Sequence, residues 1–155
     1  MLLSYLLVAF SGAAAPVDST HCAQAARFLR TEQRMVAEIE SDTINDWRTG
    51  KRVNGCRITA AGGTDIGVGK EAARLYERLR AATWTRTPDP RDAPSEASMR
   101  YRLGQSDCLF NVNVEAMLFT EAETRVNEAL VLEPGGTRYQ VFVMCLPAMP
   151  AKPRE

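Results

Sequence analysis

The residues able to do chemistry are few, and their spacing limits what they can do. His21 is the only histidine in the chain. As a general base it would need a nucleophile and an orienting acid. Its neighbour Cys22 is better explained as half of a disulfide, and no G-x-S-x-G elbow occurs anywhere. One imidazole also excludes sites built from several, such as H-E-x-x-H. His21 therefore reads as a surface residue of a first helical turn. The stretch Gly67-Val68-Gly69-Lys70 ends like a phosphate loop, but Thr64 stands where the pattern needs Gly and Glu71 where it needs Ser or Thr. The glutamate would repel phosphate, so the stretch reads as a flexible loop opening a helix.

The segment Asp46-Trp47-Arg48-Thr49-Gly50-Lys51-Arg52 gathers three cations and an aromatic ring. Guanidinium and ammonium groups beside a stacking face suit a small anionic ligand. Arg100 and Arg102 project from one face of an expected strand and are candidates to join that patch. Trp47, Arg48, Lys51, Arg52, Arg100 and Arg102 are thus the candidate ligand-binding residues. Their competing reading is a solvated loop with Trp47 packed inward and two arginines on the wet face of a sheet. Glu38, Asp42 and Asp46, spaced at helical turns if the segment is helical, could support carboxylate hydrolysis without histidine. Acidic residues are too common for that spacing to be specific. No catalytic residue, metal site or cofactor is assigned.

Composition sets the class. The chain has 155 residues, 19 Lys+Arg, 19 Asp+Glu and four Cys. This length supports one ordinary domain. A formal charge of zero excludes the usual electrostatic footprint of a nucleic-acid binder. The hydrophobic content of 45% excludes a disordered chain. Part of that content lies in residues 1–15 (MLLSYLLVAFSGAAA), an apolar run followed by small residues, as in a secretory signal peptide, although no basic residue precedes the run. It is too short to span a bilayer, which takes about 20 apolar residues, so no membrane span is expected after cleavage. Cys22, Cys56, Cys108 and Cys145 all lie beyond it, widely spaced and even in number. In an exported protein this pattern reads as two disulfides; zinc would want close pairs such as C-x-x-C. The favoured pairings are Cys22–Cys56 and Cys108–Cys145.

The elements that must position these residues follow from periodicity. Cys22, Ala25, Ala26, Leu29, Val36 and Ile39 recur at helical spacing, predicting a helix over about 21–40, with Ile44 and Trp47 on a further short turn. Residues 53–60 alternate as a strand, the four glycines from Gly62 to Gly69 make a flexible connection, and 70–83 carry a second amphipathic stripe with Trp84 closing the core. Residues 85–95 read as a proline-rich loop. Met99–Leu103 and Cys108–Val114 form a hairpin with one wet face. Residues 121–132 carry conflicting signals: Thr120-x-x-Glu123 is a capping box, while Pro134-Gly135-Gly136 before Tyr139–Leu146 favours a hairpin, and hence a strand at 129–132. Residues 139–146, apolar on both faces, read as a central strand.

The expected architecture is an α+β domain over residues 16–146, with an antiparallel sheet of four to five strands and two main helices on one face. A helical 121–132 would give a ferredoxin-like β-α-β-β-α-β order from residue 53, and 147–155 would be a proline-rich tail. The function expected from this is a periplasmic or secreted binding or accessory domain that catalyses nothing, whose partner is a protein or a small anionic ligand. A carboxylate-dependent hydrolase and a protein-interaction or inhibitor module are the alternatives.

Overall fold

A computed structural model describes residues 20–46, 49–87 and 98–149 of the protein. The expected signal peptide at 1–15 lies outside the described residues. The first helix, α1 (Thr20–Thr31), buries Cys22, Ala25, Ala26, Phe28 and Leu29 as the periodicity requires. It stops well short of residue 40. Arg34 adopts a left-handed backbone with φ 53°, and the Met35 N–H turns back to donate to the Leu29 carbonyl at 3.0 Å. The chain then runs extended as β1 (Val36–Asp46), so Val36, Ile39 and Ile44 are strand residues and not parts of helices.

The next strand, β2 (Lys51–Thr64), pairs antiparallel with all of β1, from Val36 opposite Ala61 to Asp46 opposite Lys51. It includes Gly62 and Gly63, which were expected in a flexible connection. A Cβ on Gly62 would sit 2.9 Å from the Tyr139 ring, so close strand packing, not flexibility, explains this glycine. The second helix, α2 (Val68–Ala81), begins after Gly67, whose φ of 86° suits glycine, and buries Ala72, Leu75, Tyr76 and Leu79. Trp84 closes the core edge-on to Phe110, with ring centroids 5.9 Å apart. Thr85 and Arg86, expected in a loop, form the short strand β3 against β4 (Ser98–Leu103). Strands β4 and β5 (Ser106–Asn113) make the expected hairpin.

The conflict at 121–132 resolves as helix. The third helix, α3 (Glu121–Ala129), is capped by Thr120, whose hydroxyl accepts from the Glu123 N–H at 3.2 Å. No strand forms at 130–132; the Pro134-Gly135-Gly136 turn leads from a helix into β6 (Thr137–Pro147). Pro147, expected to begin the tail, is the last residue of β6, and Ala148 donates to the Gln105 carbonyl at 2.7 Å.

The strands form one antiparallel sheet in the order β1-β2-β6-β5-β4-β3. The α+β class holds, and the described residues contain six strands in place of four to five and three helices in place of two. From Lys51 the elements read β-α-β-β-β-α-β, one strand more than the order expected from residue 53. Strand alternation divides the sheet into two faces. On one face Ile58, Ala60, Phe110, Val141 and Val143 meet the apolar stripes of α1 and α2 in a single core. The other face carries Thr59, Gln140 and Phe142, and there α3 packs across β1 and β2. Both expected disulfide pairings form. Cys22–Cys56 fastens α1 to β2, and Cys108–Cys145 joins directly opposed residues of β5 and β6, with Cα atoms 4.1 Å apart. No helix among the described residues is long and apolar enough to cross a membrane.

Candidate functional site

The cations expected to form a patch are distributed by the sheet. Trp47 and Arg48 lie outside the described residues. Lys51 and Arg52 open β2 and are exposed. Arg100 and Arg102 are on β4, three strand positions away from β2, about 14 Å at the usual strand spacing. Arg100 is buried. Arg102 makes a two-pronged bond to buried Asp107, with Nε to Oδ1 at 2.6 Å and Nη2 to Oδ2 at 2.8 Å. The structure therefore does not bring Arg100 and Arg102 to the Lys51–Arg52 turn.

Of the candidate acids, Asp42 and Glu38 are engaged in ion pairs. Glu40 and Asp42 lie 3.1 and 3.7 Å from the Arg57 guanidinium. Glu38 accepts from Arg125 on α3 at 2.6 to 3.0 Å. That hydrogen bond holds the Glu38 carboxyl below its usual range. A lowered folded-state value means the pair adds stability above the unfolded carboxylate value, about 4.3, and loses it as the pH falls through the folded value. Both side chains are substantially exposed, so solvent screens the pair and the contribution is small. Replacing Arg125 by Ala should return Glu38 to ordinary titration, read from its side-chain carbonyl carbon by NMR. An unchanged titration would show that Arg125 is not the cause. His21 is half-buried, with Nδ1 2.7 Å from the Ser106 hydroxyl.

A different constellation forms on the face that α3 only partly covers. Antiparallel register places Thr59, Phe142 and Asn111 in one row across β2, β6 and β5, and Ala61, Gln140 and Asn113 in the next. All point to the same side, because residues two apart on a strand share a face. Over them comes the segment between β5 and α3. Glu123, in the first turn of α3 and buried, turns its carboxylate back to accept from three consecutive backbone N–H groups: Met117 at 2.8 Å, Leu118 at 2.9 Å and Phe119 at 2.6 Å. This exceeds the capping box read from the sequence, in which Glu123 would reach only its own helix start. The latch fixes residues 117–119 as a wall. Between that wall and the sheet lies a cavity of about 250 Å³, lined by Thr59, Asn111, Asn113, Met117, Leu118, Glu123, Gln140, Val141 and Phe142.

Two features distinguish this cavity. Thr59 and Gln140 are 3% and 4% exposed, yet Thr59 Oγ1 and Gln140 Oε1 have no partner among the described residues. Buried polar atoms are normally hydrogen-bonded, because leaving one unmade costs about 1–3 kcal/mol. Moreover, a relay dictates which end of the Gln140 amide is left over. The Glu123 backbone carbonyl can only accept, so Asn127 must turn its Nδ2 to it, at 2.8 Å. Asn127 Oδ1 then faces Gln140 and takes its Nε2 at 2.5 Å. Gln140 Oε1, an acceptor, is what remains.

The arrangement can hold a molecule. It has apolar surface in Phe142, Met117 and Leu118, oriented amides, and unmade hydrogen bonds, the usual ingredients of a small-molecule pocket. A larger groove of about 660 Å³ runs between α1 and α2 over Trp84, but it is open, and Arg78 on its rim already donates to the Glu32 carbonyl at 2.7 Å. Thr59, Asn111, Asn113 and Gln140 were legible in the sequence only as the polar half of alternating strands. The signal available was Gln140, polar in a strand whose neighbours are otherwise apolar on both faces. No family model matches the chain, and no curated protein or solved structure matches it.

Proposed function

We propose that this is an exported binding or accessory domain that catalyses no reaction and holds a small molecule in the cavity beneath α3. The single observation that carries the reading is the pair of buried, unpartnered atoms, Thr59 Oγ1 and Gln140 Oε1, on residues lining that cavity. A fold stapled by two disulfides within its core supports an oxidising compartment, periplasmic or extracellular. The exposed Lys51–Arg52 end of β2 is a separate place for an anionic partner. The cavity needs no contribution from it.

If the unmade bonds are kept for a ligand, they cost stability in its absence. Thr59→Val preserves shape and removes the orphaned hydroxyl, so it should stabilise the ligand-free protein by about 1 kcal/mol in urea unfolding. Native mass spectrometry of the protein recovered from the exported fraction should show a small bound mass that Thr59→Val loses. A destabilised Thr59→Val protein together with no bound mass would reject the reading.

A further inference from the structure

We infer, building on the cavity proposed above as a binding site, that its ligand is a compact uncharged molecule whose apolar ring carries a carboxamide-type edge, with an N–H donor beside an acceptor. Size comes first. A dry cavity of about 150 Å³ accommodates benzene, so one of about 250 Å³ takes roughly ten non-hydrogen atoms. The body of such a molecule has Phe142, Met117 and Leu118 to cover it.

Charge comes next. Glu123 is the one ionisable residue among those lining the cavity, and its carboxylate is already engaged by three N–H groups that hold the wall in place. An anion entering here would meet a carboxylate and no cation. A cation would have to draw that carboxylate away from the wall it secures. A neutral ligand meets neither obstacle.

The polar edge follows from the hydrogen-bond chain. Asn127 leaves Oε1 as the unmade acceptor of Gln140, so a ligand that reaches it must supply a donor. Thr59 Oγ1 can donate, so an acceptor beside the donor completes the second bond. Thr59 and Gln140 are diagonal neighbours across the β2–β6 register, since Thr59 opposes Phe142 and Ala61 opposes Gln140. Diagonal neighbours stand about 7–8 Å apart at the backbone, and their side chains approach more closely. One amide group spans that gap with a hydrogen bond at each end. Asn113, directly opposite Gln140, offers a further amide along the same edge. A site that must receive a donor discriminates strongly against analogues lacking it, because its own buried acceptor is then left unmade.

The test titrates the full-length, disulfide-intact chain with benzamide, benzoate and toluene, read by backbone amide NMR. Benzamide should perturb Thr59, Asn111 and Gln140 saturably, with benzoate and toluene each at least about tenfold weaker. Gln140→Met, which keeps length and apolar bulk, should remove the preference for benzamide over toluene while the rest of the spectrum is retained. Benzoate or toluene binding equally well at these residues would overturn the ligand class and leave the cavity standing as a binding site. Failure of all three probes to perturb them would overturn the cavity reading and this inference with it.

Discussion

Gly55→Ala is expected to be the most damaging single-methyl change in the sheet, destabilising the protein by about 3–4 kcal/mol, at or just beyond the upper end of ordinary overpacking. Gly55 lies in β2 opposite Asp42 of β1. A Cβ there would collide with the Cys145 carbonyl oxygen, and would also lie 2.9 Å from Leu146 Cδ2 and 3.1 Å from Ile44 Cδ1. A side chain can rotate away, but a backbone carbonyl in a paired strand cannot. The strand that would have to move is held at this level, since Cys145 opposes Cys56 in β2 and is bonded to Cys108 in β5. Cys56 is in turn bonded to Cys22 on α1. Parting β2 from β6 therefore breaks the pairing between two cross-linked strands and opens the core beside it. Against a total stability of about 5–15 kcal/mol, such a loss is severe. Urea unfolding followed by tryptophan fluorescence measures it, with Trp84 buried against Phe110 as a reporter. Gly69, in the first turn of α2 with open space around its Cβ position, is the matched control, and Gly69→Ala should be neutral or mildly stabilising. A Gly55→Ala midpoint indistinguishable from the parent would disprove the close approach.

The disulfides and α2 were readable for local reasons. Cys22 lies on an apolar helical stripe and Cys56, Cys108 and Cys145 on the inward positions of alternating strands, so the pairings needed only that α1 cover β2 and that β5 adjoin β6. The stripe Ala72, Leu75, Tyr76 and Leu79 has no competing period. The over-long first helix shows where periodicity fails. Val36 and Ile39 continue the spacing of Leu29, yet Ala37, Glu38, Ile39 and Glu40 also alternate, and the break falls at Arg34, a residue type that gives no warning of a left-handed turn. At 121–129 the Thr120 cap was the truer signal, because the Pro134-Gly135-Gly136 turn can follow a helix as readily as a strand.

The site was less legible because it depends on strand order. Cations close in sequence or alike in pattern suggested one patch, but β6 and β5 intervene between β2 and β4. Thr59, Asn111 and Gln140 become neighbours only once those same strands are adjacent. Register and order are set by long-range packing. The wall over the cavity depends on a reach of four to six residues backward from Glu123, which no capping pattern encodes.

That reach makes Glu123→Ala the second large effect, and a local one. Three hydrogen bonds to one buried carboxylate hold residues 117–119. Bonds to a charged acceptor contribute about 1.5–3 kcal/mol each, and they do not add fully, so a loss of about 3 kcal/mol in the stability of this segment is expected. Part of what the latch opposes is visible at Phe119, an exposed residue held at φ 52°, a left-handed conformation that is costly for an aromatic residue. Without the carboxylate that backbone should relax, and the cavity should lose its wall. Glutamine should not rescue it. Glu123 Oε1 accepts from Met117 while Oε2 accepts from Leu118 and Phe119, so an NH₂ group in either place would oppose a donor. Hydrogen exchange distinguishes this from general unfolding. In Glu123→Ala the amides of Met117, Leu118 and Phe119 should exchange about a hundredfold faster, while those of β5 and β6 around Cys108 and Cys145 keep their protection. Unchanged exchange at 117–119 would show that the segment is held by something other than Glu123. Uniform acceleration would make Glu123 a support for the whole fold and not a latch on the cavity wall.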